Sequence, residues 1–197
     1  MAKRKRVSRK AKDTWKAKKW YKIISPETFG STPIGETPSD DPSKLIGRVV
    51  EVTLHELTGD FSKSYVKLRF EINEVRGDKA YTKFIGHSLA RDYIRSLVRR
   101  GSSKVEGITD VFTKDQYKIR VKGLVFTTRR TKTSQERLIR KKMFETVEKI
   151  AQERPFKQFV QEVVLGKLSA DVYKAALKAY SLRSVEIRET EVLAEPA

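Results

Sequence analysis

Both tryptophans of the chain lie five residues apart in one basic stretch, DTWKAKKWYKII, from Asp13 to Ile24. Indoles set among lysines suit two kinds of chemistry. The ammonium groups can neutralise phosphates while the rings stack on exposed bases or wedge into a groove, each aromatic contact being worth roughly 1 to 3 kcal/mol. Alternatively the indoles can anchor the segment on a neighbouring protein. The preceding MAKRKRVSRKAK offers no apolar face, so either reading places the segment outside the protein's own core. The candidate contacts here are Lys3, Arg4, Lys5, Arg6, Arg9, Lys10, Lys12, Trp15, Lys16, Lys18, Lys19, Trp20, Tyr21 and Lys22.

Two further groups have phosphate-binding spacing. Arg91, Arg95 and Arg99 follow one another at i, i+4 and i+8 with Arg100 adjacent, which on a continuous helix makes a single arginine stripe. Farther on, Arg129, Arg130 and Lys132 precede a helix whose first half carries Arg137, Arg140, Lys141 and Lys142, while Glu145, Glu148 and Glu153 fall toward its end. The macrodipole prefers the opposite order, by roughly 0.3 to 1 kcal/mol per exposed charge. An anion at the helix start reverses that sign, because free amides and cationic side chains then point at it together.

Acid–base or metal chemistry has little to work with. The chain has two histidines and no cysteine, and lacks zincin, P-loop, nucleophile-elbow and dinucleotide motifs. His55 and Glu56 are neighbours on an expected strand and would point to opposite faces; Asp40 and Asp41 lie among prolines. The chain reads as a non-enzyme with no cofactor and no metal.

The charge balance instead points to a polyanion. Lys and Arg number 43 against 25 Asp and Glu, a formal charge of +18. The excess is concentrated: residues 1–22 carry eleven cations and one Asp, residues 91–104 sum to +4 and residues 129–142 to +6, while the remainder is slightly acidic. Clustering of this kind fits nucleic-acid binding better than general solubility. No apolar stretch of signal-peptide or membrane-span length is present, and a cytosolic location without membrane contact is expected.

The elements that must position these groups read as α+β. Residues 1–22 form a basic RNA-binding tail, expected to be disordered in free protein and ordered on RNA, since its apolar content cannot offset the backbone entropy of ordering. Residues 23–44, with four of six prolines in Ser25 to Lys44, form an extended, irregular connector. Residues 45–103 form an antiparallel, barrel-like β portion with one helix. Alternation gives IGRVVEVTLHEL and SYVKLRFEINEV as half-buried strands and RGDK as a turn into AYTKFIGH. From Ser88 the spacing of Leu89, Tyr93 and Leu97 becomes helical, with Gly101 as the stop. Residues 104–197 pack helices on sheet: strands near 105–112 and 117–126, a helix from a capping box at Thr133 and Glu136, helices at 155–165 and 170–180, and a last strand in SVEIRETEVL.

The stretch LIGRVVEVTLHEL resembles the signature of the S-three-a-e family of small-subunit ribosomal proteins, matching at Leu45, Gly47, Arg48, Val49, Glu51, Leu54 and Leu57. Thr53 stands where Ser or Cys is usual, and Glu56 where Asp is usual. KKWYKI and IRKKM (Ile139 to Met143) extend the similarity over nearly the whole chain. The compact C-terminus, without the family's longer eukaryotic extensions, resembles the archaeal type, and an archaeal member is expected. The resemblance implies a structural constituent of the small ribosomal subunit, in cytoplasmic ribosomes. It would bind small-subunit ribosomal RNA on the platform near the messenger exit, beside other platform proteins, with messenger RNA as a further contact and without homo-oligomerisation. The alternative is a nucleic-acid-binding protein of chromatin or of other RNA assemblies.

Overall fold

Two long strands with period-two burial organise the molecule. In the computed structural model, which describes Trp15 and residues 18–196, β4 (Val66–Arg76) buries Val66, Leu68, Phe70 and Ile72. It turns through Gly77 and Asp78 into β5 (Lys79–Leu89). β3 (Val49–Thr53) pairs antiparallel with β4. β6 (Lys104–Phe112), β7 (Lys118–Thr127) and β8 (Leu182–Ala194) add an antiparallel set. β5 joins everything: it pairs with β4, with β8 and, in parallel, with β1 (Lys19–Ile24). With β2 (Pro33–Ser39) beside β1, the result is one mixed eight-stranded sheet whose main path runs β2-β1-β5-β8-β7-β6, the α+β architecture expected.

The helices cover one face of this sheet. α3 (Thr133–Glu153) lays Ile139, Met143, Val147 and Ala151 on it, a stripe at helical spacing. The buried cluster there includes Val105, Ile119, Val121 and Val125 from β6 and β7 and Val172 from α5 (Lys167–Leu177). α4 (Phe156–Val164) is a wedge: Phe159 and Val163 enter this cluster, while Val160 and Val164 enter a second with Leu68, Phe70 and Phe84.

Several expectations are corrected. The basic tail was expected to extend unstructured through Lys22, yet Lys19–Ile24 is a strand whose Tyr21 and Ile23 are 4% and 3% exposed. Tyr21 therefore packs with Leu45, Ile72 and Ala80 in a third cluster and offers no ring for stacking. The tail residues 1–14, 16 and 17 lie outside the described residues, and the expectation of disorder with them. The connector is not irregular throughout, because β2 (Pro33–Ser39) pairs antiparallel with β1. Its prolines are tolerated because β2 is an edge strand. The strand expected through Leu57 ends at Thr53. Leu54–Thr58 is a short helix, α1, whose C-cap Gly59 takes φ 75° and whose Thr53 hydroxyl donates to Glu56 at 2.8 Å. α5 starts at Lys167 after Gly166, three residues earlier than expected.

Close strand approach depends on glycine at one position in particular. A Cβ on Gly86 of β5 would collide with the backbone carbonyl oxygen of Thr190 on β8 and reach 3.3 Å from its carbonyl carbon. Backbone cannot swing aside as a side-chain tip can. Gly86→Ala is expected to cost about 1 to 3 kcal/mol, seen as a melting point lower by roughly 2 to 10 °C. Gly35→Ala, where a Cβ meets nothing within 4 Å, is the control and should melt near the parent; equal melts for both variants would refute the close approach.

Candidate nucleic-acid interface

Strand order brings two of the three cationic groups together. β5 runs toward the same side of the sheet as β7 but stops short of it, with Ser88 opposite Glu189 in the middle of β8; the end of β7 lies beside the starts of β6 and β8, with Thr127 opposite Leu182 and Lys104 opposite Phe126. The loop between α2 (Arg91–Leu97) and β6 reaches the β7–α3 loop. Ser103 staples them: its amide donates to the Thr127 hydroxyl at 2.9 Å, its carbonyl accepts from the Thr127 amide at 3.0 Å, and its hydroxyl accepts from the Thr131 amide at 3.1 Å. Thr127 is fully buried, and its hydroxyl also donates to the Arg129 carbonyl at 2.7 Å. The Arg129 and Arg130 side chains stand exposed on this stapled backbone, as do Arg99 and Arg100 on the facing loop. None of the four forms an ion pair among the described residues.

The arginine stripe is not continuous. α2 spans only Arg91–Leu97; Val98 is extended at φ −76° and ψ 127°, so Arg99 and Arg100 lie beyond the helix, and Leu89 belongs to β5. Arg91 and Arg95 remain exposed on α2, Arg95 with Asp92 at a loose 4.0 Å. Tyr93 holds α2 on the sheet by stacking on Tyr65 at 3.8 Å and donating to Glu186 at 3.0 Å. Burial raises the Tyr93 phenol pKa, and the Glu186 charge raises it further; burial likewise raises the Glu186 carboxyl.

The group at residues 129–142 divides in two. The cap of α3 is Lys132, one residue earlier than expected, and its amide donates to the Gln135 side chain at 3.0 Å. Glu136 accepts from the Thr131 hydroxyl at 3.0 Å. Lys132 has no side-chain oxygen with which to satisfy the first amides of α3, so a positive helix end faces the stapled loops. Arg137 is exposed nearby. The rest is committed elsewhere: Arg140 donates to the Glu106 carbonyl at 2.8 Å, and Lys142 and Lys141 lie 2.9 and 4.0 Å from Glu145. Hydrogen bonding from Lys142 holds the Glu145 carboxyl below its ordinary pKa.

The third group is far away. Lys22 pairs with Lys79 at the opposite end of β5, roughly 35 Å from where that eleven-residue strand ends, and the stapled loops lie beyond it. Trp15 and Trp20 are 62% and 58% exposed there, with the Lys18 ammonium 4.5 Å above the Trp15 ring. Lys19 and Lys22 are exposed beside them. Lys3, Arg4, Lys5, Arg6, Arg9, Lys10, Lys12 and Lys16 lie outside the described residues.

Two cations at the loop end escaped sequence reasoning. Arg183, at the start of β8, sits 5.9 Å over Phe126. Arg188 shares with Arg91 a cleft of about 470 Å³ between α2 and the sheet. Nothing in LRSVEIRET distinguishes them from solvated strand residues. By contrast, the uncovered sheet face has its cations neutralised: Arg120 holds Asp110 at 2.7 and 2.9 Å, Lys122 lies 2.9 and 3.2 Å from Glu189 and Glu191, and Arg69 lies 3.0 Å from Glu189. His87, the one histidine in the core, is committed on both ring nitrogens, to Thr190 and Ile187.

The profile of the Ribosomal S3Ae family matches residues 6–196. The chain is 54% identical over 196 residues to the small ribosomal subunit protein eS1 of Archaeoglobus fulgidus, covering 98% of this chain and 93% of that protein. It is 50% identical over 197 residues to eS1 of Methanothermobacter thermautotrophicus, with complete coverage of both. Against eS1 of Saccharolobus solfataricus the identity is 53% over 185 residues, covering 94% of this chain and 89% of the relative.

Proposed function

Because the chain belongs to the Ribosomal S3Ae family, we propose that it is a structural constituent of the small ribosomal subunit that clamps ribosomal RNA from two ends of one sheet, on the platform near the messenger exit. The observation that carries the RNA contact is the stapling of two arginine-bearing loops by Ser103, which presents Arg99, Arg100, Arg129 and Arg130 beside the uncapped start of α3. Their placement on hydrogen-bonded backbone means that little loop ordering remains to be done on binding. The loop end offers cations without exposed aromatic rings among its named groups and suits the phosphate backbone. The other end pairs lysines with two exposed indoles and suits unpaired bases. The platform position is supported by the family resemblance alone.

Co-sedimentation with small subunits through a high-salt wash tests membership, with retention expected; release into the free fraction would favour a looser nucleic-acid binder. A second measurement separates stacking from charge. Replacing Trp15 and Trp20 by Leu should weaken binding to small-subunit ribosomal RNA by roughly tenfold or more while leaving the salt dependence nearly unchanged, since stacking adds affinity without releasing counterions. If the double variant binds isolated RNA normally but fails to enter subunits, the indoles dock on protein. If it does both normally, they have neither role.

A further inference from the structure

Of the sheet's edges, β6 alone is both long and unguarded among the described residues. β2 carries Pro33 and Pro38, and β3 has five residues. β6 pairs with β7 over nine consecutive residues without a register shift and contains no proline. Such an edge is a template for another strand unless it is blocked.

The direction of its hydrogen bonds is fixed at both ends. The Thr127 amide donates to the Ser103 carbonyl at 3.0 Å, and the Thr113 amide to the Tyr117 carbonyl at 3.0 Å. Odd-numbered residues from 103 to 113 thus face β7, and the backbone groups of the even-numbered ones face away. Two of those outward groups are already taken: the Glu106 carbonyl by Arg140 at 2.8 Å, and the Lys114 amide by the Arg154 carbonyl at 3.1 Å. Between these stops, Ile108, Asp110 and Phe112 have outward amides and carbonyls with no hydrogen-bond partner among the described residues. Their side chains share the uncovered sheet face, where Ile108 is 60% and Phe112 53% exposed.

We infer that this window of β6 receives an extended segment of a neighbouring small-subunit protein, about five residues long and apolar at alternate positions, as an added strand. A peptide backbone matches the alternation of donors and acceptors along the edge; a phosphate chain, which only accepts, does not. The charge agrees. Arg120 and Lys118 share the one carboxylate of Asp110, Arg120 through both oxygens and Lys118 at 4.0 Å, and the Lys118 ammonium lies 6.0 Å from the Phe112 ring. An acidic residue at the Phe112 end of the incoming segment completes the fit. Ile108 and Phe112 would pack against its apolar side chains.

The inference rests on membership of the small subunit, and the test separates the two. Ile108→Pro removes one outward amide that β7 does not use, so the fold should survive it; Phe112→Ser removes the apolar surface without touching the backbone. Hydrogen exchange at residues 108, 110 and 112 is compared between free chain and assembled subunits, and a photocrosslinker at 108 reports what lies against the edge. Expected are exchange slowed tenfold or more in subunits, crosslinks to one protein segment, and disappearance of those crosslinks in the Phe112→Ser chain. Ile108→Pro should still enter subunits but leave residues 110 and 112 unprotected. Crosslinks to RNA or to a second copy of this chain, or normal incorporation without protection, would overturn the added strand and leave the ribosomal role intact. Failure of the parent chain to enter subunits would overturn both.

Discussion

Replacing Arg99, Arg100, Arg129 and Arg130 together by Gln lowers affinity for small-subunit ribosomal RNA about a hundredfold or more near physiological salt. It also flattens the plot of log K against log salt by roughly 3 units, at roughly 0.7 to 0.9 for each phosphate no longer neutralised. The fold should not change, because the loops are held by the hydroxyl and backbone of Ser103 and Thr127 and not by guanidinium groups. A matched control lies in the middle of α3. Lys141 and Lys142 already share Glu145, at 4.0 and 2.9 Å, so changing both to Gln should alter the slope by less than the same number of loop arginines does. Filter binding or fluorescence titration at four or five salt concentrations reads both. An unchanged slope in the quadruple variant would return these arginines to solvated surface.

That cluster was only half legible in the sequence. Each arginine was identifiable from local charge density, but their meeting was not, because it depends on the order β5-β8-β7-β6. The pairing of Ser88 with Glu189 spans about half the chain. The helical stripe failed for a local reason. Leu89 fits a helical period with Tyr93 equally well, yet it pairs with Val66 in the sheet, and the extended backbone at Val98 turns Arg99 out of the helix. At β1, charge hid structure: Tyr21 and Ile23 alternate as a half-buried strand should, but lie in a segment whose lysines dominate any composition window. Where local pattern and burial agree, as in the Ile139, Met143 and Val147 stripe of α3 or the β4–β5 hairpin, the sequence was sufficient.

Acidification from pH 6.5 to about 4 should remove up to about 3 kcal/mol of stability through His87 alone. Burial is the main cause that depresses its pKa from 6.5 to about 4, with Arg69 adding to it and the Ile187 carbonyl and Glu189 opposing. The Ile187 carbonyl, 3.2 Å from Nε2, can only accept, so Nε2 carries the proton and Nδ1 accepts from the Thr190 hydroxyl at 2.6 Å. Above pH 6.5 the ring is neutral in both folded and unfolded chains, and the contribution is complete. As pH falls, the unfolded chain takes up the proton first, and stability drops until the folded ring titrates near pH 4; below that the decline levels off. A difference of about 2.5 pH units at 1.36 kcal/mol each sets the size. Other groups act in the same window. The exposed carboxylates Asp110 and Glu145, held low by Arg120 and Lys142 respectively, lose their pairing at lower pH, whereas buried Glu186, held high, is relieved by protonation. The His87 share is therefore isolated by difference. Denaturant unfolding at pH 7, 6, 5 and 4.5 should give a steeper fall for the parent than for His87→Gln. The variant is less stable at pH 7 because it loses the hydrogen bond to Thr190 or Ile187, and the two curves should converge as pH falls. Parallel curves would show that the buried ring is not what sets the acid limit of this fold.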